Sequence, residues 1–450
     1  MARLASHRAS ARAENLKRRA HELIPGGCHT YAKGDDQYPT AAPSFIARGE
    51  GCHVWDVDGN EYLEYGMGLR AVTLGHAYPP VVRAAARQMT LGTNYTRPAA
   101  IEVECAEKLL GALQSCEQVK FAKDGSTVIT AATKLARAHT GRDIVAYCAD
   151  HPFFSYNDWF MGSWKMAAGI PDPYRSLTTT FRYNDIGSLR EVFARYPGQI
   201  ACVLLEPERE EPPRDGFLTA AREIAHQHGA LFILDEMITG FRWHLGGAQA
   251  VYGVQADLAG FGKALGNGFA VSALVGRRDV MDLGGWSHDR DRVFLLSTTH
   301  GAETHALAAA IATIEVYAQE PVIATLDRQG QRLRRGCDEA AAELGLSAHF
   351  QVVGRPCNLV YVTRDAERNP SQAFRTLFMQ EMVKQGVLAP SFVVSYSHSD
   401  ADIDRTVDAV RRALIVYRRG LEDGIQTVLE GRPVRPVDRR AADGRREVIP

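Results

Sequence analysis

Lys263 lies where an apolar stretch meets a glycine-rich turn, and in such a place a lysine amine can act as a nucleophile. The chain reads Leu-Ala-Gly-Phe-Gly-Lys-Ala-Leu-Gly over residues 258–266. A lysine that is desolvated in a ligand cleft holds its proton less tightly, which exposes the amine. The neighbouring glycines would let the backbone approach a flat ring closely. The same pattern also suits a surface lysine in a turn, so Lys263 needs chemical partners.

Two acidic residues supply such partners at the ends of other apolar stretches. Asp235 follows the run Leu-Phe-Ile-Leu, and Glu206 follows an apolar stretch that ends at Leu205. In a cleft, a carboxylate can keep the nitrogen of a pyridine ring protonated, which makes the ring an electron sink. On the surface, the same acids would cap helices or form ion pairs.

Two hydroxyl-rich turns precede predicted helices. The first contains Gly125, Ser126 and Thr127, and the second contains Thr298 and Thr299. Free N–H groups at a helix start, together with hydroxyl groups, form a binding site for an anion such as phosphate. Serine and threonine are also preferred as simple N-caps, so this pattern alone leaves both interpretations open.

These residues fall within a regular alternation of short apolar segments and helical patterns. Apolar strands separated by helices indicate a mainly parallel sheet that is covered by helices on both faces. Ligands of such sheets bind at the carboxyl ends of the strands, so Lys263, Asp235 and Glu206 are expected to lie at one edge. The predicted strands are 119–122, 144–148, 201–205, 230–234, 258–261 and 272–275, and the predicted helices are 127–140, 186–195, 218–228 and 303–319.

The 450-residue chain is predicted to have four parts. Residues 1–60 form an N-terminal segment that packs with the small domain, and its hairpin turns at Asp58-Gly59. Residues 61–320 form the large domain, 321–430 a smaller α+β domain, and 431–450 an extended tail. The predicted elements of the small domain are a helix at 322–344, strands at 350–354 and 358–362, and a helix near 402–419.

Composition argues against several classes of partner. The net charge of -1 gives no overall attraction to nucleic acid or to an anionic membrane. The eight cysteines are scattered without a CxxC pair or metal-ligand spacing, so we predict reduced thiols and no metal site. The basic N-terminus lacks the apolar run of a signal peptide and indicates a surface helix at 11–23. No segment has the ~20 apolar residues of a membrane span, and a cytoplasmic protein is expected.

Taken together and in order, these motifs resemble the class III (fold-type I) pyridoxal-phosphate aminotransferases, in particular the glutamate-1-semialdehyde aminomutase-like branch. The resemblance extends over residues 24–414. It implies a mainly parallel seven-stranded sheet flanked by helices, with a smaller α+β domain. The motifs that carry it are Ile24-Pro-Gly-Gly, Phe45-Ile-Ala-Arg-Gly-Glu-Gly, Trp55-Asp-Val-Asp-Gly-Asn-Glu-Tyr, Leu74-Gly-His-Ala, Asp124-Gly-Ser-Thr, Thr133-Lys-Leu-Ala-Arg-Ala-His-Thr-Gly-Arg, Glu206-Pro, Asp235-Glu-Met-Ile-Thr-Gly-Phe-Arg, Gly262-Lys-Ala-Leu-Gly-Asn-Gly and Thr299-His-Gly-Ala-Glu-Thr.

The resemblance implies roles for the matching residues. Lys263 would form the internal aldimine with pyridoxal 5'-phosphate (PLP) and shuttle a proton between the substrate carbon and the cofactor. Asp235 would pair with the pyridine nitrogen, and Glu206 would lie near the cofactor or substrate. Thr299, with Thr298 as its alternative, would contact the phosphate in the neighbouring subunit of a homodimer with shared active sites. The phosphate would be held in its own subunit by Gly125, Ser126 and Thr127.

Two departures from the family pattern affect the predicted site. The family's Tyr-His-Gly turn, whose aromatic ring stacks on the cofactor, is replaced by Asp-His-Pro-Phe-Phe-Ser over 150–155. Phe153 is our candidate for the stacking ring, and His151 and Phe154 are competitors. The Gly-Asn-Pro that often follows the phosphate threonine is also absent, and Gly-Ala-Glu-Thr over 301–304 takes its place.

The segment 29–38 is similar to members that modify sugars, including aminoglycoside aminotransferases. Its charges either bind substrate, with Lys33 facing an anion or Asp35 and Asp36 facing a cationic amino sugar, or are simply solvated. The leading hypothesis is transfer of an amino group from an amino acid donor to an aldehyde or ketone of a sugar-like acceptor. Glutamate-1-semialdehyde 2,1-aminomutase, dehydration or epimerisation of an aminoglycoside, and a catalytically silent binding protein are the competing hypotheses. The candidates for the substrate wall are Tyr31, Lys33, Arg97, Tyr156 and Trp159.

Overall fold

The computed structural model describes residues 10–113 and 116–435. The last fifteen residues of the predicted tail, 436–450, lie outside this part of the chain. Helices and strands are numbered here in chain order. The strands are β1 (Ile46–Glu50), β2 (His53–Asp56), β3 (Glu61–Glu64), β4 (Gln118–Ala122), β5 (Ile144–Cys148), β6 (Thr178–Phe181), β7 (Ile200–Leu205), β8 (Leu231–Asp235), β9 (Leu258–Phe261), β10 (Ser272–Gly276), β11 (Phe350–Val353), β12 (Val360–Thr363) and β13 (Val387–Leu388). The helices are α1 (Ala11–Leu23), α2 (Met67–Arg70), α3 (Pro79–Met89), α4 (Ala100–Leu113), α5 (Gly125–Thr140), α6 (Asp158–Met161), α7 (Ile186–Arg195), α8 (Phe217–Gln227), α9 (Gly247–Tyr252), α10 (Arg278–Met281), α11 (Thr304–Gln319), α12 (Val322–Glu343), α13 (Gln372–Lys384) and α14 (Asp400–Asp423).

A seven-stranded sheet is built from strands between Gln118 and Gly276, in the order β4-β10-β9-β8-β7-β5-β6. The predicted fold class is confirmed, since this mainly parallel sheet is flanked by helices. Strand β10 runs antiparallel to both of its neighbours. Strand β6 was not predicted, because its sequence Thr-Thr-Thr-Phe has no apolar run. The six predicted strands are present, with ends that differ by at most one residue.

The sheet is buried on both faces, which explains its continuous apolar strands. In β8, Ile233 packs with the core under α5, while Phe232 and Leu234 pack with the core on the opposite face. Helix α5 begins at Asp124, whose side chain accepts a hydrogen bond from Thr127 N, and ends at a left-handed glycine. The helix start therefore lies at the carboxyl end of β4.

The N-terminal and C-terminal parts of the chain share a four-stranded sheet in the order β1-β2-β3-β13. The predicted hairpin turn at Asp58-Gly59 joins β2 and β3, which pair antiparallel. Strand β13 adds to β3 in parallel, with Val387 opposite Leu63. Two residues from opposite parts of the sequence thus become neighbours.

The C-terminal region combines the helices α12, α13 and α14 with the antiparallel pair β11 and β12. Helix α14 begins with a capping box in which Ser399 and Asp402 exchange hydrogen bonds with each other's backbone. It is longer than the predicted helix at 402–419, and α13 was not predicted.

Within the described ranges, no single helix is both long and apolar enough to cross a membrane. One bent pair, α11 with α12, passes that test by length and composition alone, with 74° between the two helices.

Candidate active site

Three neighbouring parallel strands, β7, β8 and β9, bring the predicted catalytic side chains to one edge of the sheet. Glu206 follows β7, Asp235 is the last residue of β8, and Lys263 begins the turn after β9. Both carboxylates act electrostatically on the amine of Lys263. The sequence prediction that these residues lie together therefore agrees with the geometry.

Lys263 is held in a conformation that few lysines adopt. Its φ is 46°, in the left-handed region, and its turn closes with a hydrogen bond from Leu265 N to Gly262 O. Burial lowers the pKa of Lys263 from its usual value, against the opposing effect of Asp235 and Glu206. A larger fraction of the amine is therefore neutral, as nucleophilic attack requires.

Asp235 and Glu206 are both almost fully buried. Burial raises the pKa of each carboxyl, and the positive charges of Lys263 and Arg209 oppose that shift only in part. Asp235 keeps one oxygen fixed, since Oδ1 accepts a hydrogen bond of 2.9 Å from Met237 N. The other oxygen has no hydrogen-bond donor among the described residues, so Asp235 can accept a proton-bearing nitrogen from a ligand.

The predicted phosphate loop lies at the start of α5. The N–H groups of Gly125 and Ser126 have no acceptor within the described parts of the chain, and they remain available to an anion. Thr127 takes part in the helix cap, because its N and Oγ1 both donate to the carboxylate of Asp124, at 2.8 and 3.0 Å. The backbone of this loop is thus better placed than Thr127 to bind phosphate.

Tyr156 lies beside this loop. Its hydroxyl is 3.5 Å from Thr127 Oγ1, and its N–H donates to Ser126 Oγ at 3.3 Å. Its side chain is 59% exposed, so the ring is free to contact a ligand. The sequence assigned Tyr156 to the substrate wall, and in the structure it lies beside the predicted phosphate loop.

The three candidates for the stacking ring have different environments. Phe154 is 2% exposed and packs in the core, whereas Phe153 is 45% exposed. His151 is buried, and its Nδ1 accepts a hydrogen bond of 2.9 Å from Glu206 N. Burial, with a smaller effect of Arg209, lowers the pKa of His151 to about 3, so its ring is neutral. Phe153 remains our candidate because only its ring has a large open surface.

The other predicted substrate residues are spread over the molecule. Trp159 is 4% exposed, and its Nε1 donates to Thr130 Oγ1 at 2.8 Å, which places the indole in the core beneath α5. Tyr31, Lys33 and Arg97 are exposed, and no hydrogen bond or ion pair joins them to Lys263 or its acids among the described residues.

The segment that contains the predicted amino-sugar acids packs against α1 and the end of the chain. Asp35 forms an ion pair of 3.0 Å with Lys17. Its backbone oxygen also accepts a hydrogen bond of 3.0 Å from Arg432. These contacts leave Asp35 with a structural role.

Thr299 is exposed, and its backbone oxygen accepts a hydrogen bond of 3.0 Å from Asn94 Nδ2. The same loop is joined to the end of β4 by an ion pair between Lys123 and Glu303. Within the described chain, the hydroxyl of Thr299 makes no hydrogen bond, so it is available to a ligand.

Sequence reasoning missed two arginines near Lys263. Arg70 lies on the turn α2, and Arg242 ends the Asp235 motif; the charges of both act on Lys263. The sequence does contain a signal for Arg70, namely the glycine-containing stretch Gly-Met-Gly-Leu-Arg over 66–70, which follows a strand.

The residues present fit a flat, phosphorylated cofactor. A Cβ at Gly262 would approach Ser272 Oγ to 2.5 Å and Met237 Sδ to 2.7 Å, so a side chain at this position would displace both groups. A Cβ at Gly125 would lie 2.9 Å from Met237. The amine of Lys263, the open oxygen of Asp235 and the free N–H groups of the phosphate loop supply the three kinds of contact that PLP requires.

Comparison with known proteins also indicates a PLP-binding protein. The family model described as aminotransferase class-III matches residues 34–414. The glutamate-1-semialdehyde 2,1-aminomutase of Roseiflexus castenholzii is 34% identical over 427 residues, covering 90% of this chain and 97% of that protein. The enzyme of the same name from Desulforudis audaxviator is 35% identical over 424 residues, covering 88% and 95%.

Solved structures show the same fold. The FumI protein of Sphingopyxis sp. MTA144, solved in its PLP internal aldimine form, has a TM-score of 0.84 at 27% identity and covers 94% of this chain and 99% of its own. An omega-transaminase from Sphaerobacter thermophilus has a TM-score of 0.82 at 27% identity, with 91% and 98% covered. The chain belongs to the class-III aminotransferases and is a PLP-dependent enzyme.

Proposed function

We propose that this enzyme transfers an amino group from an amino acid donor to an aldehyde or ketone of a sugar-like acceptor, as in aminoglycoside biosynthesis. The observation that carries this proposal is a polar cavity of about 420 Å³ beside Glu206. Its volume lies within the range of small-molecule sites. The residues that line it are Asp150, His151, Arg182, Tyr183, Asp185, Arg209, Glu210 and Glu211.

The lining of the cavity supports a substrate rich in hydroxyl and ammonium groups. Four carboxylates and two guanidinium groups line the cavity, and since Asp185 pairs with Arg182 and Glu210 with Arg209, the acidic groups are in excess. It borders the catalytic residues, because Arg209 Nη1 lies 3.9 Å from Glu206 Oε1.

Bound PLP supplies an aldehyde carbon that condenses with amines and a ring that takes up electrons. The amine of Lys263 would hold the cofactor and would carry a proton to or from the substrate carbon. Asp235 would keep a proton on the ring nitrogen through its free oxygen. The N–H groups of Gly125 and Ser126 would bind the phosphate, with Tyr156 beside them, and Phe153 would cover the ring.

An intramolecular aminomutase on glutamate 1-semialdehyde is a second candidate. Relatives with that name, at about one-third identity over nearly their whole length, favour it. Dehydration or epimerisation of an aminoglycoside would use the same residues. Of these reactions, only the intermolecular transfer gives the product a nitrogen atom from an external donor.

The test is a screen of amino acid donors against aminoglycoside aldehydes and ketones, with the cofactor spectrum and the product mass as readouts. We expect ¹⁵N from labelled donor in the product. Product of unchanged nitrogen content, formed without any donor, would contradict transfer and favour the mutase, dehydration or epimerisation reaction.

The cavity can be tested separately with Glu210→Gln combined with Glu211→Gln. We expect the KM for the amino sugar to rise by about 3- to 10-fold, because partly exposed charge pairs are individually weak. The reaction with the donor should not change. Glu339→Gln, on the exposed face of α12, is the matched control. If the KM for the amino sugar were the same in the wild type, the double variant and the control, the proposal that this cavity binds the acceptor would be contradicted.

We further propose a homodimer in which Thr299 of each subunit contacts the cofactor phosphate of the other. Asn94 joins the loop that holds Thr299 to the segment 89–95, in which Met89, Leu91 and Tyr95 are exposed apolar side chains. Leu91→Asp should produce monomers in sedimentation velocity, whereas Ile415→Asp on α14 should not. A dimer that is unaffected by Leu91→Asp would place the interface elsewhere.

A further inference from the structure

The turn α2 has an unusual backbone. Met67, Gly68, Leu69 and Arg70 have successive φ values of 43°, 59°, 58° and 71°. This is a single turn of left-handed helix, which L-residues avoid because Cβ crowds the following carbonyl oxygen. Such conformations persist where the surroundings hold them, and they are frequent at active sites.

Two buried side chains hold this turn and connect it to the lysine loop. Arg242 Nη2 donates to Arg70 O at 2.7 Å and to Thr73 Oγ1 at 3.1 Å. Asn267, four residues after Lys263, accepts hydrogen bonds of 2.9 Å from the N–H groups of both Thr73 and Leu74. The position of Arg70 is therefore fixed relative to Lys263.

The guanidinium of Arg70 is oriented by a contact from the small domain. Its Nε donates to Oδ1 of the buried Asn358 at 2.7 Å. In the described part of the chain, its two terminal nitrogens have no hydrogen-bond acceptor and form no ion pair. Two parallel N–H donors are thus presented on one edge, the geometry that matches a carboxylate.

The other two arginines near Lys263 already have partners. Arg209 interacts with the carboxylates of Glu206 and Glu210, at 3.9 and 3.3 Å. Arg242 is fully buried and bonded to backbone oxygens and a hydroxyl. Burial, together with the charges of Arg209 and Arg242, lowers the pKa of Arg70 to about 10, and the carboxylates of Glu206 and Glu210 offset that effect only in part.

We propose that Arg70 binds the carboxylate of the amino acid donor and so places its amine at the cofactor. This inference rests on the proposed function, which includes such a donor. Lys33, which the sequence offered as an anion-binding residue, is exposed on the N-terminal segment and has no contact with Lys263 in the described chain. Because Asn358 belongs to the small domain, a bound carboxylate would bridge the two domains through Arg70.

The test compares L-alanine with isopropylamine, in which a methyl group replaces the carboxylate. In the holoenzyme carrying Arg70→Met, the second-order rate constant for conversion of the cofactor by L-alanine or L-glutamate should fall by about 30-fold or more, as expected for a lost charged hydrogen-bond pair. The rate with isopropylamine should change by less than about 2-fold, since that amine makes no such pair. Arg70→Lys should give an intermediate loss, because lysine keeps the positive charge but lacks the two parallel N–H donors of the guanidinium. Arg190→Met, on the exposed face of α7, is the matched control.

Binding of glutarate, which has the carboxylates of glutamate and no amine, provides a readout without turnover. Calorimetry should detect glutarate in the wild-type holoenzyme and a loss of about 30-fold in affinity with Arg70→Met. Equal losses with isopropylamine and L-alanine, or unchanged glutarate binding, would overturn the assignment. If the wild type binds glutarate through Arg70 but no amino acid converts its cofactor, the proposed function fails while the carboxylate site stands.

Discussion

Removal of the guanidinium of Arg242 should release the left-handed turn Met67–Arg70. Hydrogen bonds from charged donors contribute about 1.5–3 kcal/mol each, so the bonds of Arg242 to Arg70 O and Thr73 Oγ1 together supply roughly 3–6 kcal/mol. The left-handed conformation costs roughly 1–2 kcal/mol for each non-glycine residue, or about 3–6 kcal/mol for the three in this turn. The two contributions are of equal size, so the turn depends on Arg242.

The perturbation is Arg242→Met, which keeps most of the side-chain volume. We expect the free energy of local opening of residues 66–75 to fall by about 3 kcal/mol, which corresponds to roughly 100-fold faster amide exchange. Since Arg70 would lose its fixed position, the affinity for glutarate should fall as well. In Arg242→Lys, the free energy of local opening and the affinity for glutarate should lie between those of the wild type and of Arg242→Met. One ammonium group cannot bond both oxygens with the same geometry.

Hydrogen exchange followed by mass spectrometry of the holoenzyme measures this opening segment by segment. Leu69→Gly serves as the compensating variant, because glycine adopts a φ of 58° without a steric penalty. Added to Arg242→Met, it should recover about 1 kcal/mol of the loss. Unchanged protection of residues 66–75 in Arg242→Met would refute the reasoning, and equal loss of protection across the whole chain would show that Arg242 stabilises the core rather than the turn.

Further variants test other parts of the site. Lys263→Ala should abolish covalent labelling of the chain by PLP on borohydride reduction, and continued labelling at the native stoichiometry would exclude this lysine as the attachment point. Asp235→Asn should lower kcat by about 100-fold or more while PLP still binds, because a neutral amide cannot hold the ring nitrogen protonated; full activity would remove its role. Gly262→Ala should weaken PLP affinity in equilibrium dialysis, since the added methyl group collides with its neighbours at 2.5 Å. Trp159→Phe should lower the melting temperature through loss of its bond to Thr130 and leave the KM values of both substrates unchanged.

The sequence was sufficient to place Glu206, Asp235 and Lys263 at one edge of the sheet. Apolar runs define where buried strands end, so the residues that follow them, Glu206, Asp235 and Lys263, could be named before any coordinates. Strand β6 was not predicted because its side chains are mostly polar. It forms a strand because it pairs with β5. The reversed direction of β10 is likewise a property of its neighbours, since an apolar run reads the same in either direction.

The left-handed turn could not have been predicted from local sequence. Leucine, methionine and arginine favour negative φ. In this turn their φ values are positive, because contacts with Arg242 and Asn267 hold the backbone, and these two residues lie about 170–200 residues further along the chain. The burial of Trp159 has a similar origin, because its hydrogen-bonding partner is on α5. Aromatic residues in a loop give no local sign of which side faces the core.

The pairing of β3 with β13 has a consequence for how this protein is made. Leu63 leaves the ribosome about 320 residues before its neighbour Val387 is synthesised, a delay of roughly 15–60 s at ordinary rates of translation. During that interval the edge of β3 presents unpaired backbone groups to other nascent chains. A message truncated before residue 387 would leave that edge open permanently, so premature termination should yield aggregates rather than a stable shorter enzyme.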